Sequence, residues 1–223
     1  MSRIKGKFLA VGALTLAAFA VAPMAQAEQG DWLFKAGATM VSPKSDNLKA
    51  DDGEGNVLVF NVDDGTSLGL TLSYMFTDNW AVELLAAVPF KHDIKVGIQG
   101  VPGSVKIAET KHLPPTLSIQ YHFMPDGTFN PYVGVGFNWT LFSSEKFTAA
   151  EFEGASLTLE DSTGFAAQVG IDWYFTDKWF ANLDVRYIDL STKAKVTVDG
   201  TTEPLGDVAI DPMVYSLMIG YRF

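Results

Sequence analysis

The sequence predicts an all-β protein, an eight-stranded antiparallel transmembrane β-barrel with short periplasmic turns and long extracellular loops. Three observations support this. Segments of about ten residues alternate bulky apolar with small or polar side chains, as barrel strands do. The connections between these segments are alternately short and long. Although 48% of the residues are hydrophobic, no apolar run beyond the N-terminal region is long enough for a membrane-spanning helix.

Residues 1–27 are predicted to be a cleavable signal peptide, which leaves residues 28–223 as the barrel. Arg3, Lys5 and Lys7 precede an apolar stretch over 8–22, and the small-residue triplet at 25–27 places the cleavage site before Glu28. A membrane anchor is the alternative. The apolar stretch is short for a spanning helix, and Pro23 interrupts its end.

The first four predicted strands share one pattern, with bulky apolar residues on one face and small or polar residues on the other. Strand two shows it most clearly, because Leu68, Leu70, Leu72, Tyr74 and Phe76 alternate with residues that are mostly small and polar. These four strands cover residues 32–41, 67–76, 80–88 and 116–123.

The last four predicted strands continue the alternation, and the connections fix their direction. Outer-membrane barrels have short periplasmic turns and long outer loops, so odd strands are predicted to run outward and even strands inward. The four strands cover residues 131–141, 165–175, 181–188 and 215–223. The short connections are 77–79, 124–130 and 176–178, and the long ones are 44–65, 91–112, 143–162 and 191–211.

The apolar face of each strand is predicted to point outward into lipid. A sheet in a bilayer must be closed, since every backbone group needs a partner there, and its outer side chains must be apolar. A soluble β-sandwich is the alternative, but it gives no reason for aromatic residues near the strand ends. Those assigned to the inner rim are Trp80, Tyr121, Trp173, Trp179, Tyr221 and Phe223.

Composition excludes several classes of function. Removing the leader takes away three of the 16 basic residues and none of the 26 acidic residues, which leaves a net charge of −13. A chain this acidic lacks the basic face that nucleic acids require. There is no cysteine, so disulfides are excluded, and no residue pattern calls for a cofactor or a metal.

The inward charged residues predict a polar plug near the periplasmic end. An eight-stranded barrel is only wide enough for side chains to fill it, and unpaired buried charges cost several kcal/mol each. The charges should therefore pair with one another, with no open pore. The residues assigned to this plug are Lys35, Glu83, His122, Asp172, Asp184 and Arg222.

Nearer the extracellular end, the residues that face the barrel interior are largely apolar. They predict a cavity that opens to the outside. The lumen residues assigned are Leu85, Ala87, Phe142, Arg186 and Ile188, of which Arg186 is also one of the inward charges. Pro114 and Pro115 have no backbone N–H to donate and face the strand that ends at Pro89, which predicts a lateral opening between strands three and four. Equally, these prolines could simply end the strand.

Several segments together resemble the OmpW family of outer-membrane proteins, which includes the OprG and AlkL groups. They are 82–87 (VELLAA), 112–117 (HLPPTL), 131–136 (PYVGVG), 168–170 (QVG) and 220–223 (GYRF). The resemblance covers essentially all of 28–223.

The resemblance implies an eight-stranded barrel with an apolar lumen, closed toward the periplasm, that passes small hydrophobic molecules sideways into the membrane. A Leu and a Trp narrow the lumen in the family. Leu85 matches the Leu, whereas Arg186 stands at the Trp position and would suit a carboxylate, in keeping with relatives that favour small amino acids. The terminal Phe223 matches the ending that the barrel-assembly machinery recognises.

The predicted function is therefore passive uptake of small hydrophobic or zwitterionic solutes, with outer-membrane lipid and the solute as partners. A barrel that transports nothing and acts as a structural, adhesive or receptor protein is the main alternative, because side chains commonly fill barrels this small. A lipid-modifying enzyme is a remote one. His92 and His112 flank an outer loop, but no Ser–His–acid set is evident, and no catalytic residue is assigned.

Overall fold

A computed structural model describes residues 28–223, so the predicted signal peptide at 1–27 lies outside the described residues. The described chain is all-β apart from one short 3₁₀ turn at Ala150–Phe152, and none of its helical structure is long or apolar enough to cross a membrane. The strands in chain order are β1 (Trp32–Ser42), β2 (Leu48–Asp51), β3 (Val57–Val62), β4 (Gly65–Met75), β5 (Trp80–Ala87), β6 (Phe90–Ile98), β7 (Val105–Leu113), β8 (Thr116–His122), β9 (Phe129–Phe147), β10 (Ser156–Leu159), β11 (Ser162–Tyr174), β12 (Trp179–Ile188), β13 (Ser191–Val198), β14 (Thr201–Ala209) and β15 (Met213–Arg222).

Eight of these strands close a barrel, which confirms the predicted fold class. They pair antiparallel in the order β1, β4, β5, β8, β9, β11, β12 and β15, and β15 pairs back with β1. The short turns 76–79, 123–128 and 175–178 lie at one end, and all the long connections lie at the other. Closure pairs the backbone of every barrel strand, which is what residence in lipid requires.

The outward faces are apolar, as the period-two alternation predicts. Phe165 is 75% exposed and Val135 is 68% exposed, whereas Ser73 and Thr39 are buried inside. At the end with short turns, aromatic rings contact each other across neighbouring strands. Ring centroids lie 5.0 Å apart in the Trp80–Tyr121 pair and 4.9 Å apart in the Trp179–Tyr221 pair. Such aromatic girdles mark the interfaces of membrane barrels.

The long connections lie at one end, as predicted, but they contain further β-strands that the sequence did not predict. Seven further strands, β2, β3, β6, β7, β10, β13 and β14, extend the wall beyond the apolar band. Their polarity is reversed, because water rather than lipid surrounds them there. In β6, Phe90 and His92 are buried inside, while the alternating charged residues Lys91 and Lys95 face outward. The sequence alternates here too, but with charged residues on the outer face.

The interior is layered along the barrel axis. At the periplasmic end, Leu33, Met75, Ala81, Tyr174 and Phe180 form a small apolar cluster. Next comes a layer of buried polar and charged residues, and beyond it a larger apolar cluster continues into the extracellular strands. This order of layers places the two sites described below.

Candidate binding cavity and polar floor

The polar layer, here called the floor, is organised around Glu83. Its carboxylate accepts a hydrogen bond from Lys35 Nζ at 2.7 Å and one from Arg186 Nη2 at 2.8 Å. Arg186 Nη2 also donates to Gln168 Oε1. All three charged side chains are at most 2% exposed, so the two ion pairs lie in a medium that screens them little.

Asp172 and Asp184 lie in the same floor and accept hydrogen bonds from neutral side chains, and Asp184 also lies 3.8 Å from Arg186 Nη2. The Tyr132 hydroxyl donates to Asp184 at 3.0 Å, and Asn182 Nδ2 donates to Asp172 at 2.7 Å and to the Tyr132 hydroxyl at 3.0 Å. Sequence reasoning missed Tyr132, although it alternates with the outward-facing Val133. Its ring lies against Gly170, where a Cβ would overlap it. Only glycine fits at that position.

His122 links a third group of floor residues. Asn130 Nδ2 lies 3.0 Å from His122 Nδ1, and His122 Nε2 lies 3.4 Å from Gln120 Oε1. An amide nitrogen can only donate, so His122 Nδ1 is the acceptor and the proton of the neutral ring is on Nε2. His122 therefore lies in the polar layer where the sequence placed it.

Arg222 does not belong to the floor, contrary to the prediction. Its Nη1 pairs with Asp31 Oδ2 at 3.2 Å, and the two side chains are 11% and 24% exposed at the periplasmic rim. The strand ends here, and the guanidinium reaches water instead of the interior. The floor therefore holds two cations, Lys35 and Arg186, and three carboxylates.

On the extracellular side of the floor, the barrel encloses an apolar cavity of about 190 Å³. A space this large exceeds by far what a single water needs. Most of its lining comes from the extracellular strands that the sequence did not predict. Among the lining residues are Val41, Phe60, Ile94, Ile107, Phe142, Leu159, Leu190 and Val208.

The predicted lumen residues divide between the cavity and the floor. Phe142 lines the cavity, and Ile188 and Ala87 pack in the apolar cluster around it. Leu85 lies lower, beside Lys35 and Arg186. Arg186 itself is tied to Glu83 and is part of the floor, so the prediction that it lines the lumen is corrected.

One seam of the barrel wall is interrupted beside the cavity. The β5–β8 ladder ends at the pair Leu85–Thr116, and pairing resumes only at Phe90–His112 between β6 and β7. The described residues between these pairs, 86–89 and 113–115, form no ladder pair with each other. They contain Pro89, Pro114 and Pro115, the three residues predicted to form a lateral opening.

The neighbouring seams are intact at the same height. The Val88 N–H donates to Leu68 O on β4 at 2.9 Å, and the Trp139 N–H donates to Pro115 O at 2.9 Å. At this height the two adjacent seams are therefore hydrogen-bonded, and the interrupted one is the seam where prolines remove backbone donors. Pro89 is exposed and Pro114 is buried.

His92 and His112 line the cavity just above this interruption. Their ring centroids lie 4.8 Å apart, and His92 Nδ1 donates to Asp63 O at 2.6 Å. Burial lowers the pKa of both imidazoles, that of His112 to about 3, so both rings are neutral at pH 7. Within 28–223 no group of three metal-ligating side chains includes them.

Comparison with known proteins identifies the family. A model of the OmpW family matches residues 28–223. The chain belongs to the OmpW family. Outer membrane protein W of Vibrio cholerae serotype O1 is 41% identical over 216 residues, which cover 95% of this chain and 97% of that protein.

Solved structures of the same family share the architecture. The crystal structure of OprG from Pseudomonas aeruginosa superimposes with a TM-score of 0.76 at 37% identity, covering 89% of this chain and 98% of that chain. AlkL, solved by solid-state NMR in DMPC lipid bilayers, gives a TM-score of 0.67 at 25% identity, covering 99% of this chain and 97% of that one. The chain is therefore an integral β-barrel of the bacterial outer membrane.

Proposed function

We propose that this protein is a passive outer-membrane channel for small hydrophobic molecules, which enter the cavity from outside and leave sideways into the membrane. The observation that carries the proposal is the position of the apolar cavity. It lies directly above an ion-paired floor and directly beside the interrupted seam between residues 86–89 and 113–115. A molecule in the cavity meets charge below and a gap in the hydrogen bonding at its side.

The floor supports lateral rather than straight passage. An apolar solute moving on toward the periplasm would have to separate the Lys35–Glu83 and Arg186–Glu83 pairs, and exposing a buried charge without its partner is strongly unfavourable. Passage through the seam at 86–89 and 113–115 has a lower free-energy cost, since no ladder hydrogen bonds have to break there. Hydrocarbon lies on the other side of it.

The lining of the cavity supports an apolar solute class. Its walls are aliphatic and aromatic side chains, and the two histidines beside the seam are neutral. The floor's cations are already paired with Glu83. Small zwitterions are the second solute class, and Arg186→Trp tests whether this guanidinium recognises them: an unchanged solute preference in the folded variant would show that Arg186 belongs to the floor only.

Uptake measurements test the proposal directly. Vesicles with a lipopolysaccharide outer leaflet, which resists apolar solutes, are prepared with and without the protein. The protein should raise the entry rate of a linear alkane and leave that of a sugar unchanged. Ala108→Trp, which fills the cavity, should abolish the increase. If the protein enhances the entry of no apolar or small zwitterionic solute, the structural, adhesive or receptor alternative is favoured.

The Pro114→Val/Pro115→Val double variant tests the route. The backbone donor restored at position 114 should help to close the ladder and slow alkane entry, since residue 115 directs its backbone groups toward β9. Pro125→Val in a periplasmic turn is the matched control and should have no effect. Unchanged entry through a correctly folded double variant would count against lateral release.

Both ends of the mature chain have a proposed role, and no catalytic step is proposed. Cleavage before Glu28 should give a mature N-terminus there, which mass spectrometry of the purified protein measures. Phe223, exposed at the inner rim, is proposed to be the residue that the barrel-assembly machinery recognises. The role assigned to His92 and His112 is to line the cavity, and no reaction is proposed for them.

A further inference from the structure

A group of lysines lies on the outside of the barrel wall, immediately above the interrupted seam. The outward apolar residues just below these lysines are Val88, which follows β5, Leu113 on β7 and Leu141 on β9, and Leu113 and Leu141 are cross-strand partners. The next outward positions carry Lys91, Lys111 and, beyond a bulge in β9, Lys146. These side chains lie where the apolar band ends, at the height of the lipid headgroups.

Two of these lysines face each other directly. Lys91 and Lys111 are opposite partners in the β6–β7 ladder, an arrangement that is destabilising for like charges. Within the described residues no carboxylate lies within 4.0 Å of Lys111 Nζ, whereas Lys91 pairs with Glu109 at 2.8 Å. The fold therefore keeps an unfavourable pair of cations on an exposed surface.

Glu109 is shared among several of the lysines. Its carboxylate lies 2.8 Å from Lys91, 2.9 Å from Lys146 and 3.2 Å from Lys106, and these lysines hold the pKa of Glu109 at about 2. One carboxylate cannot neutralise three ammonium groups. We call Lys91, Lys106, Lys111 and Lys146 the basic surface.

The basic surface stays net positive after its other acidic neighbours are counted. Lys106 also pairs with Asp93 at 2.8 Å, and Glu145 lies in the bulge beside Lys146. Four lysines thus face three carboxylates, in a mature chain whose predicted net charge is −13. A cleft of about 300 Å³ opens at this bulge, lined by Lys91, Lys111 and Lys146 together with Glu109 and Glu145.

We propose that the basic surface binds the phosphate groups of a phosphorylated lipid of the outer leaflet, next to the interrupted seam. Lysine recognises phosphate as a point charge, and each lysine near an anionic membrane surface contributes about 1 kcal/mol. The rest of the mature chain has a predicted net negative charge, which disfavours binding of such a lipid elsewhere. The lysines face outward at the edge of the apolar band, so the headgroup reaches them while its acyl chains stay beside Val88 and Leu113.

Lipid binding to the detergent-solubilised full-length barrel tests this proposal, independently of whether the protein transports anything. Native mass spectrometry compares bis-phosphorylated lipid A with the same lipid after removal of both phosphates. The phosphorylated form should bind at least tenfold more tightly, and added salt should weaken it. Lys91→Gln/Lys111→Gln should weaken its binding about 25-fold, from a factor of about five per lysine.

Two further variants separate charge from structure. Lys193→Gln/Lys195→Gln on β13 removes the same charge far from the seam and should leave binding within about twofold, while Lys91→Arg/Lys111→Arg should retain it. Equal affinity for the two lipid forms, or equal losses in the two Gln variants, would overturn the proposal. Inorganic phosphate or octanoate displacing the lipid at equimolar concentration would also overturn it, because the site would then recognise a free anion.

Discussion

Replacing Glu83 by Gln should strongly destabilise the barrel, because this carboxylate is the direct partner of both buried cations. Gln is nearly isosteric but carries no charge, so Lys35 and Arg186 would lose contacts of 2.7 and 2.8 Å while remaining at most 2% exposed. Removing one member of a buried ion pair costs about 3–5 kcal/mol. Since two pairs share Glu83, we expect a loss of unfolding free energy near the upper end, about 4–5 kcal/mol.

Asp172→Asn is the matched control, because it makes the same carboxylate-to-amide change in the same layer. Asp172 receives a hydrogen bond from Asn182, which Asn could still accept, and it forms no direct ion pair in the described structure. Asp172 Oδ2 and its cross-strand neighbour Asn130 Oδ1 both lack a protein donor among the described residues, and the new amide could supply one. The floor also has one carboxylate more than it has cations. We expect a change below about 1 kcal/mol.

The assay is reversible urea unfolding in lipid vesicles, followed by tryptophan fluorescence. All five tryptophans are exposed to the lipid side or its rim, so unfolding changes their environment. Losses that agree within about 1 kcal/mol in the two variants, or a larger loss for Asp172→Asn, would refute the assignment of Glu83 as the centre of the floor.

Three further predictions use the same unfolding assay. Arg222→Gln should cost less than about 1 kcal/mol, because its pair with Asp31 is partly exposed at the rim, and a loss comparable to that of Glu83→Gln would contradict this. Gly170→Ala should cost about 1–3 kcal/mol by pushing the Tyr132 ring away from Asp184, and a neutral result would show that the ring can move freely. Burial lowers the pKa of His92 from 6.5 and that of His112 to about 3, so the unfolded chain binds these protons first, and stability should be constant above about pH 7 and fall as the pH drops below 6.5. His92→Phe should reduce this fall, and an unchanged profile in the variant would exclude His92 as a cause.

The membrane part of the fold was predictable because one rule governs it. Lipid outside and a polar interior give each strand a period of two. This period is visible in the sequence at Leu68, Leu70 and Leu72, without knowing which strands pair with theirs. The floor followed from the same register, since a charged residue on the inward face can only be stable if it is paired. Lys35, Glu83 and Asp172 were located in this way.

The extracellular strands were not predictable by that rule. Beyond the membrane the outer face becomes polar, so Lys91, Asp93 and Lys95 suggested a loop although they alternate with residues of the cavity wall. The cavity itself depends on pairing between distant segments, such as Asn47 Nδ2 donating to Ala209 O at 2.7 Å. No local pattern carries that information. Tyr132 was missed although the predicted strand 131–141 contains it, because the plug was assigned from charged side chains and this one carries no charge.

The most direct test of the sideways route is a reversible cross-link across the interrupted seam. The chain has no cysteine, so Val88→Cys/Leu113→Cys creates one defined thiol pair there, and Val82→Cys/Ile119→Cys creates a control pair in the continuous β5–β8 ladder. Alkane entry into vesicles with a lipopolysaccharide outer leaflet is measured before and after joining each pair with a short bis-methanethiosulfonate, which forms a disulfide with each cysteine and releases methanesulfinate. Entry should fall to the protein-free rate only when the seam is cross-linked, and should recover on reduction. Undiminished entry through the cross-linked seam would contradict lateral release.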